Sequence, residues 1–467
     1  MSEFCKQRYV SNGTVEVNGE SIPYTSTSEN FPIYGPSGEL DATMFTFSYE
    51  RSDIADKTGR PVLFGWNGGP GCGSMFVHMG ILSPKKVKCK EGTNIPQTAP
   101  VELMNNDNCL LDTCDVVSVD AIGTGYARLY NQEARAKYCS TSVDAEMFAM
   151  CIRKWLTAHK RWNSPVYIMG ESYGTIRTAM VADALFYSPN IDGAGLSMQV
   201  SGIINIGSAL NYGQTPFPIP ATVLSLPSIA AAHWYHHPEG KGSLKEFFDE
   251  CMAFCYDEYV PALAKGSSLP LEQQKAVAEK LHRYTGYSVE KLLDDKLNVD
   301  VMKYPILGMS EEGASIGLYD ARFRLGRFKD VEGFDYFSDD ASNALSMPAF
   351  AIAFNALWKD QLNIDIDDEY IEFWNGAEQS WNYQTKVSPI RLLEKAMHRN
   401  PKMKVMFGMG YYDMLTTTGW VHYLVNHYDL PKDRLYLNYY EAGHMPYIGD
   451  RQAGELLNDI KAFIKDC

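Results

Sequence analysis

Two kinds of hydrophobic pattern succeed each other along this chain. Near its start, apolar and polar positions alternate in residues 14–17, 22–24 and 42–49, and Asn18-Gly19 between the first two is a hairpin signal. Later apolar runs lack this alternation, which is typical of strands buried on both faces of a sheet. These runs are residues 62–64, 116–119, 166–169, 203–206, 405–407 and 435–440. The pattern predicts an antiparallel entry followed by a mostly parallel sheet.

Helical periodicity separates the buried runs. Phe148, Ile152 and Trp155 recur on one face of a segment from about residue 143 to 159, just ahead of the next buried run. Thr141 and Asp144 have the spacing of a capping box at the start of this helix. Strands and helices that alternate in this way predict a doubly wound α/β core.

A change of pattern divides the chain. Between about residues 211 and 337 helical segments, among them 243–264 and 271–284, are separated by loops rich in proline and glycine. The sequence therefore predicts a helical cap at 211–337 inserted between two parts of one core. The predicted parts of that core are residues 1–210 and 338–467, the second closing on a helix at 456–464.

Composition and charge exclude several kinds of partner. The 467 residues include 57 acidic and 42 basic side chains, and a net charge of −15 argues against binding to nucleic acid or anionic lipid. The start of the chain has no signal-peptide pattern and no apolar run is long enough to span a bilayer. We expect a cytoplasmic protein with reduced, buried thiols among its ten cysteines, with a secreted mature form as the alternative.

The strongest chemical motif is Gly170-Glu171-Ser172-Tyr173-Gly174. It follows the buried run 166–169 and precedes a segment in which Ile176, Met180 and Ala184 share one helical face. A G-x-S-x-G sequence between a strand and a helix is the nucleophile elbow of the α/β-hydrolases, where the tight turn tolerates only glycine around the exposed serine. The motif predicts Ser172 as a nucleophile, the alternative being a glycine-rich turn without catalytic function.

An activated serine needs a base and an acid that orients the base. In this fold they follow the serine in the order acid, histidine. His444 lies in a loop after the run 435–440, and Asp413 lies just past the run 405–407, at the edge of the sheet where catalytic groups collect. We predict Asp413 as the acid and His444 as the base. Glu441 and Asp429 are alternative acids near the end of the chain.

The tetrahedral intermediate also needs backbone N–H donors. One predicted donor is the amide of Tyr173, directly after the nucleophile. The second is predicted in the glycine-rich loop 66–71 after the run 62–64, and we expect it to be the amide of Gly69. A tight turn with no role in binding is the alternative for this loop.

Four motifs together resemble the serine carboxypeptidase family, peptidase family S10, in its bacterial-type branch. They are WNGGPGC at 66–72, VDAIGTGY at 119–126, GESYG at 170–174 and AGHMP at 442–446. The resemblance implies an α/β-hydrolase fold, a mostly parallel central sheet flanked by helices, with a helical cap. It also implies removal of C-terminal residues from peptides through an acyl-enzyme, without a metal or cofactor. A peptide or small acyl substrate is expected, no nucleic-acid or membrane partner, and a homodimer is left open.

The resemblance also assigns a site for the terminal carboxylate of the substrate. It implies that Asn67 and Gly68 bind this carboxylate with help from Glu171, which a second glutamate pairs with in the family. The matching position here is Ile81. Because two carboxyls that share a proton favour acidic pH, their reduction to one predicts activity that persists to neutral pH. Arg177 is either a substitute carboxylate ligand or an ordinary surface or helix-packing arginine.

One weaker motif has a simpler explanation. His233, His236 and His237 suggest a metal site, but no carboxylate or cysteine completes a recognised spacing, which favours a polar helix end.

The leading predicted function is a serine carboxypeptidase. The alternatives are an esterase or acyltransferase, which Ile81 favours, and a binding protein that has kept a hydrolase fold.

Overall fold

Nine strands form one twisted sheet in the computed structural model, which describes residues 5–35, 37–88, 93–188, 197–211, 219–326 and 335–467. Their order across the sheet is β1-β2-β3-β5-β4-β6-β7-β8-β9. The strands β1 to β3 are antiparallel to one another, and β3 pairs antiparallel with β5. The six strands β4 to β9 run parallel. In chain order the strands are Arg8–Val17, Glu20–Tyr34, Leu40–Arg51, Val62–Trp66, Asp115–Asp120, Val166–Glu171, Gly202–Ile206, Lys404–Gly410 and Leu435–Tyr440.

The antiparallel entry begins with the predicted hairpin. Asn18 and Gly19 have φ angles of 51° and 81°, the left-handed backbone that an Asn-Gly turn supplies between β1 and β2. Strand β2 continues well beyond the predicted residues 22–24, as far as Tyr34. Its extension contains buried polar residues, which carry no hydrophobic alternation and are stabilised by pairing with β3. The third predicted strand is likewise longer, Leu40–Arg51.

The described ranges contain nine longer helices, and shorter helical turns connect them. The helices α1 to α9 are Thr141–Ala158, Tyr173–Phe186, Ala221–His236, Leu244–Phe254, Leu271–Thr285, Ala341–Ala353, Pro389–Arg399, Thr418–His427 and Asp450–Asp466. The short α-helical segments are Met75–Val77, Arg135–Tyr138, Val260–Lys265, Val289–Asp294, Tyr304–Leu307, Lys359–Gln361 and Ala377–Ser380. Turns of π-helix span His78–Leu82, Cys255–Tyr259 and Phe354–Trp358, and 3₁₀ turns span Leu110–Asp112, Gln132–Ala134, Gly266–Ser268, Ser310–Glu312 and Lys432–Arg434. Two small hairpins pair Lys85–Val87 with Leu103–Asn105 and Ala314–Ile316 with Arg324–Gly326.

Helices cover both faces of the central sheet, as the sequence predicts for a doubly wound core. On one face α1, α2 and α7 bury an apolar cluster that includes the predicted helix face of Phe148, Ile152 and Trp155. On the other face α9 buries Leu456 and Ile460. Burial of a large apolar side chain contributes roughly 1.5–3 kcal/mol, so these two layers hold the strands in place.

The start of α1 differs from the prediction. Thr141 is the first helical residue and Ser140 precedes it without a side-chain capping bond, so the predicted capping box is absent. Asp144 instead forms an ion pair with Arg177 of α2, with 2.7 Å between Asp144 Oδ2 and Arg177 Nε. A buried ion pair across two helices outweighs a local cap, because the buried carboxylate needs a cationic partner.

A third apolar cluster lies in the segment predicted as a cap. It is built from α3, α4, α5 and the short helices up to residue 321, and it also contacts Tyr412 and Met414 of the core. The helical character predicted for this segment is therefore present. Its predicted ends stay a prediction, since residues 212–218 and 327–334 lie outside the described residues.

The apolar length of the helices and the state of the cysteines bear on two further predictions. Within the ranges given above, no helix is both long and apolar enough to cross a bilayer. The nine cysteines in those ranges are free thiols, and seven of them are buried.

Candidate active site

The predicted elbow joins β6 to α2. Strand β6 ends at Glu171, Ser172 has φ 59° and ψ −128°, and α2 begins at Tyr173. A left-handed backbone at a serine is strained and is characteristic of functional positions. The glycines are required by space: a Cβ on Gly170 would lie 2.0 Å from the carbonyl oxygen of Gly174. The turn thus lifts Ser172, which is partly exposed, above the end of the sheet.

Asp413 and His444 meet at the same edge of the sheet. Asp413 lies after β8 and His444 after β9, and 2.8 Å separates Asp413 Oδ2 from His444 Nδ1. Both side chains are buried. His444 Nε2 forms no hydrogen bond with any described residue, and His444 and Ser172 line one cavity of about 680 Å³. The structure therefore brings the three predicted residues to one site.

The surroundings of His444 favour its protonated form more than water favours that of a free histidine. Burial lowers the pKa of this imidazole, but the charge and hydrogen bond of Asp413 and the charge of Glu171 outweigh burial, so that the pKa lies above its usual 6.5. An imidazolium that forms when the base accepts a proton is stabilised in the same way.

Thr416 is a part of this arrangement that the sequence analysis missed. Its hydroxyl donates to Asp413 Oδ2 at 2.5 Å and lies 3.0 Å from His444 Nδ1. The amides of Leu415 and Thr416 donate to the other carboxylate oxygen, Asp413 Oδ1, at 2.9 and 2.8 Å. Four donors, counting His444, therefore fix the acid. An aspartate that follows a buried strand is a signal for a turn in which the carboxylate accepts from backbone amides shortly after it, but this signal does not identify the threonine.

The loop that carries His444 is held by a segment from the predicted cap range. The His444 amide donates to the carbonyl oxygen of Tyr319 at 2.7 Å, and the Gly443 amide donates to Asp320 Oδ2 at 3.2 Å. Asp320 forms a buried ion pair with Arg322, which also donates to the carbonyl oxygen of Glu441 at 3.1 Å. These contacts position the base, and sequence separation of more than a hundred residues hid them.

The loop 66–71 lies against the elbow. A Cβ on Gly68 would be 2.6 Å from the amide nitrogen of Tyr173, so the two backbone segments touch. Gly69 has φ 98°, a conformation that favours glycine, and it lines the cavity together with Ser172 and Tyr173. This placement brings both predicted oxyanion donors, the amides of Gly69 and Tyr173, beside the serine. Their role stays a prediction.

Asn67 and Glu171 form a buried pair at the floor of the cavity. Asn67 Nδ2 donates to Glu171 Oε1 at 2.7 Å, and Asn67 Oδ1 accepts from the amide of Val77 at 2.9 Å. Burial raises the pKa of Glu171 to about 7, although the charge of His444, the nearby hydroxyl of Tyr447 and the hydrogen bond from Asn67 lower it. Ile81, which replaces the expected second glutamate, is buried in the apolar cluster of the sheet.

Arg177 has the second of its two predicted roles. The side chain is 1% exposed and is absent from the described lining of the cavity, so it does not serve as a carboxylate ligand there. It pairs with Asp144 and stacks its guanidinium 4.3 Å from the ring centre of Phe148. Arg177 also donates to the carbonyl oxygen of Asn67 at 2.7 Å.

The cavity walls are largely apolar and aromatic. Its described lining includes Phe76, Ile176, Tyr319, Phe337, Met347, Phe373, Trp374, Tyr383, Leu415 and Met445. The charged residues of this described lining are the acids Glu171 and Asp335, with His444 beside them, and it contains no lysine or arginine. Such walls accept apolar groups and offer a substrate carboxylate hydrogen-bond donors rather than a cation.

The histidines of α3 have other partners. His236 Nε2 lies 2.7 Å from the carbonyl oxygen of Ala321, and His237 Nε2 lies 2.7 Å from Glu312. The ring of His233 packs against Gly286. Across the part of the chain that the structure describes, no group of three or more His, Cys, Asp or Glu side chains could hold a metal ion.

Sheet order, elbow and covering helices define the class of α/β-hydrolases. A solved structure of the same class supports this assignment: KEX1(DELTA)P, a prohormone-processing carboxypeptidase from Saccharomyces cerevisiae, is 14% identical to this chain. The superposition has a TM-score of 0.57 and covers 94% of this chain and 91% of that one. At this identity the likeness shows the fold.

Sequence comparison adds the family. Residues 34–212 match the family model described as serine carboxypeptidase. The pheromone-processing carboxypeptidase KEX1 of Fusarium vanettenii is 30% identical over 150 residues, which cover 32% of this chain and only 22% of that protein's length. In this segment, which is less than half of the chain, the protein is similar to the serine carboxypeptidase family. The bacterial-type branch stays a prediction.

Proposed function

We propose that this protein is a hydrolase of the serine carboxypeptidase family that removes single residues from the C-termini of peptides. The observation that carries the proposal is the hydrogen bond between Asn67 and Glu171, which places a buried carboxyl beside Ser172 at the floor of the cavity. A group that recognises a terminal carboxylate next to the nucleophile selects the last peptide bond. The match of residues 34–212 to the family supports the same conclusion.

The proposed reaction has two steps on one serine. Ser172 Oγ attacks the carbonyl carbon of the last peptide bond while His444 Nε2 accepts the serine proton, and the oxyanion accepts hydrogen bonds from the amides of Gly69 and Tyr173. The carbon–nitrogen bond then breaks, and His444 returns the proton to the leaving amine. Water repeats the sequence on the acyl-enzyme, which releases the shortened peptide and regenerates the serine. Asp413 holds the imidazole in the required tautomer.

Carboxylate binding is assigned to Asn67, Gly68 and Glu171. The cavity lining described above has no cation, so the substrate carboxylate must be met by neutral donors, which are backbone amides and a protonated Glu171. The raised pKa of Glu171, about 7, keeps that proton on a large part of the molecules at neutral pH. The aromatic walls support a preference for apolar side chains next to the scissile bond.

A second candidate is an esterase or acyltransferase. Ile81 favours it, because an apolar residue replaces a carboxyl that the family resemblance assigns to carboxylate recognition. The same acyl-enzyme would then pass its acyl group to water or an alcohol. Release of a free amino acid compared with transfer to an added alcohol separates the two functions.

The test is a digest of a peptide library followed by mass spectrometry of the products. Each peptide is presented with a free C-terminus, with a C-terminal amide and with an acetylated N-terminus. We expect loss of one C-terminal residue from peptides with a free C-terminus, with or without acetylation, and little or no cleavage of the amides. Shortening from the N-terminus, or equal cleavage of the amides, would refute the proposal. Ser172→Ala is the control for contaminating peptidases.

A further inference from the structure

Tyr447 lies directly behind the carboxyl of Glu171. It follows the loop that carries His444, and its ring packs on Gly80 in the π-helical turn His78–Leu82 so closely that a Cβ on Gly80 would lie 2.2 Å from Tyr447 Cδ2. The hydroxyl at the end of this ring lies next to Glu171 and the side chain of Asn67. Glycine at position 80 is therefore what admits a phenol to this place.

Two buried polar atoms without hydrogen-bond partners lie near each other there. Glu171 Oε2 and the Tyr447 hydroxyl are both buried, and neither has a hydrogen-bond partner among the described residues. A buried polar group that lacks a partner costs roughly 1–3 kcal/mol, so the pair is retained against a real penalty. Ile81, beside Gly80, contributes only apolar surface.

We propose that Tyr447 is a positioning residue that holds the carboxyl of Glu171 for recognition of the substrate's terminal carboxylate. The inference rests on the proposed function. Asn67 Nδ2 donates to Glu171 Oε1 in the structure, and in the proposed substrate complex the Tyr447 hydroxyl donates to Oε2, so that a neutral carboxyl held at both oxygens offers its own proton to the substrate. The phenol stays protonated throughout, because burial raises the pKa of Tyr447 well above its ordinary value.

The charges around Glu171 set how this arrangement responds to pH. His444 lowers the pKa of Glu171 and Asp413 raises it, while the buried thiol of Cys72 stays neutral because burial raises its pKa. The Tyr447 hydroxyl near it also lowers the pKa of Glu171. Removal of the phenol hydroxyl therefore raises that pKa, and the protonated form persists to higher pH.

The experiment compares two substrates across a pH series. N-acetyl-Phe-Phe carries a terminal carboxylate, and N-acetyl-Phe methyl ester delivers the same acyl group without one. The variants are Tyr447→Phe, Glu171→Gln and the control Tyr304→Phe. Tyr304 is a buried tyrosine whose hydroxyl donates to the carbonyl oxygen of Thr285 at 2.9 Å, in the helical segment away from the cavity.

In the Tyr447→Phe variant we expect KM for N-acetyl-Phe-Phe to rise about 10-fold, the equivalent of one buried hydrogen bond to a carboxyl, with kcat/KM for the ester within about 2-fold of wild type. The high-pH limb of the N-acetyl-Phe-Phe profile moves to higher pH, whereas Tyr304→Phe leaves both substrates and the limb unchanged. Equal loss on both substrates, or a Tyr447→Phe profile like that of Tyr304→Phe, would overturn the role of Tyr447.

The Glu171→Gln variant distinguishes a failure of the proposed function from a failure of the role assigned to Tyr447. If it loses the discrimination between the substrates and the high-pH limb while Tyr447→Phe does not, the proposed function stands and the inference about Tyr447 is wrong. If wild type hydrolyses the ester but not N-acetyl-Phe-Phe, the proposed function fails and the inference fails with it.

Discussion

The guanidinium of Arg177 donates a hydrogen bond of 2.7 Å to the main-chain carbonyl oxygen of Asn67. This bond joins the helix that follows the nucleophile to the loop that carries the predicted oxyanion donor. Because Arg177 also pairs with Asp144, three separate elements are fixed around one buried cation. A displacement of the loop by 1 Å is enough to reduce catalysis substantially.

Replacement of Arg177 tests this link. We expect Arg177→Met to lower the free energy of unfolding by roughly 3–5 kcal/mol, because the buried Asp144 carboxylate loses its partner. The double variant Arg177→Met, Asp144→Leu removes both charges and should be more stable than the single variant. Urea unfolding measures both. A single variant as stable as wild type would contradict the assignment.

Thr416 should matter for rate more than for stability. In Thr416→Val the acid loses the hydroxyl that donates to Asp413 Oδ2, while the shape of the side chain is kept. A lost hydrogen bond to a charged group is worth about 1.5–3 kcal/mol, so we expect kcat/KM to fall by roughly 10-fold or more. Thr416→Ser keeps the hydroxyl and is the matched control. If Val and Ser at this position have the same kcat/KM, Thr416 does not orient the acid.

Activity should persist at neutral pH. Burial lowers the pKa of His444, but Asp413 and Glu171 together raise it above 6.5. The fraction of neutral His444, the form that accepts the serine proton, therefore increases as pH rises through this raised pKa. Burial keeps Glu171 protonated up to about pH 7. Peptide hydrolysis is therefore expected to have its maximum near neutrality. A kcat/KM profile that peaks below about pH 5 and vanishes near pH 7 would contradict this expectation.

His159 gives stability its own dependence on pH. The ring is buried, which lowers its pKa, but hydrogen bonds of 2.7 Å to Glu29 and Glu50 raise the pKa above 6.5 overall. A raised pKa in the folded state contributes stability that is complete below about pH 6.5 and is lost as pH rises through the folded value. The difference in unfolding free energy between wild type and His159→Gln should therefore be larger at pH 6 than at pH 9. Equal differences at the two pH values would remove this role.

Local patterns made much of the fold predictable. The strand, turn and helix around Ser172 are contiguous, and Asp413 and His444 follow directly after buried runs, so parallel pairing alone brings all three to one edge. The buried runs also matched strands of the sheet because their neighbours cover both faces. The helical character of the segment predicted as a cap was visible as a change of pattern, and the ends of that segment stay a prediction.

Contacts between distant segments were not predictable in this way. Asp320, which supports the His444 loop, is 123 residues away from Gly443 in sequence. No local sequence pattern around Asp320 and Arg322 indicates this contact. The capping box at Thr141 was wrong for the same reason, since Asp144 has a partner 33 residues later. The proximity of Tyr447 to Glu171 is visible only in the three-dimensional structure.

The most direct test of the account is covalent labelling of the nucleophile. Wild-type protein is treated with a fluorophosphonate, digested, and the modified peptide is identified by mass spectrometry, with His444→Ala treated in parallel. We predict one adduct, on Ser172, formed rapidly in wild type and slower by roughly 10³-fold or more in His444→Ala, because the base has been removed. Labelling at another residue, or equal rates in the two proteins, would contradict a serine at this elbow that is activated by His444.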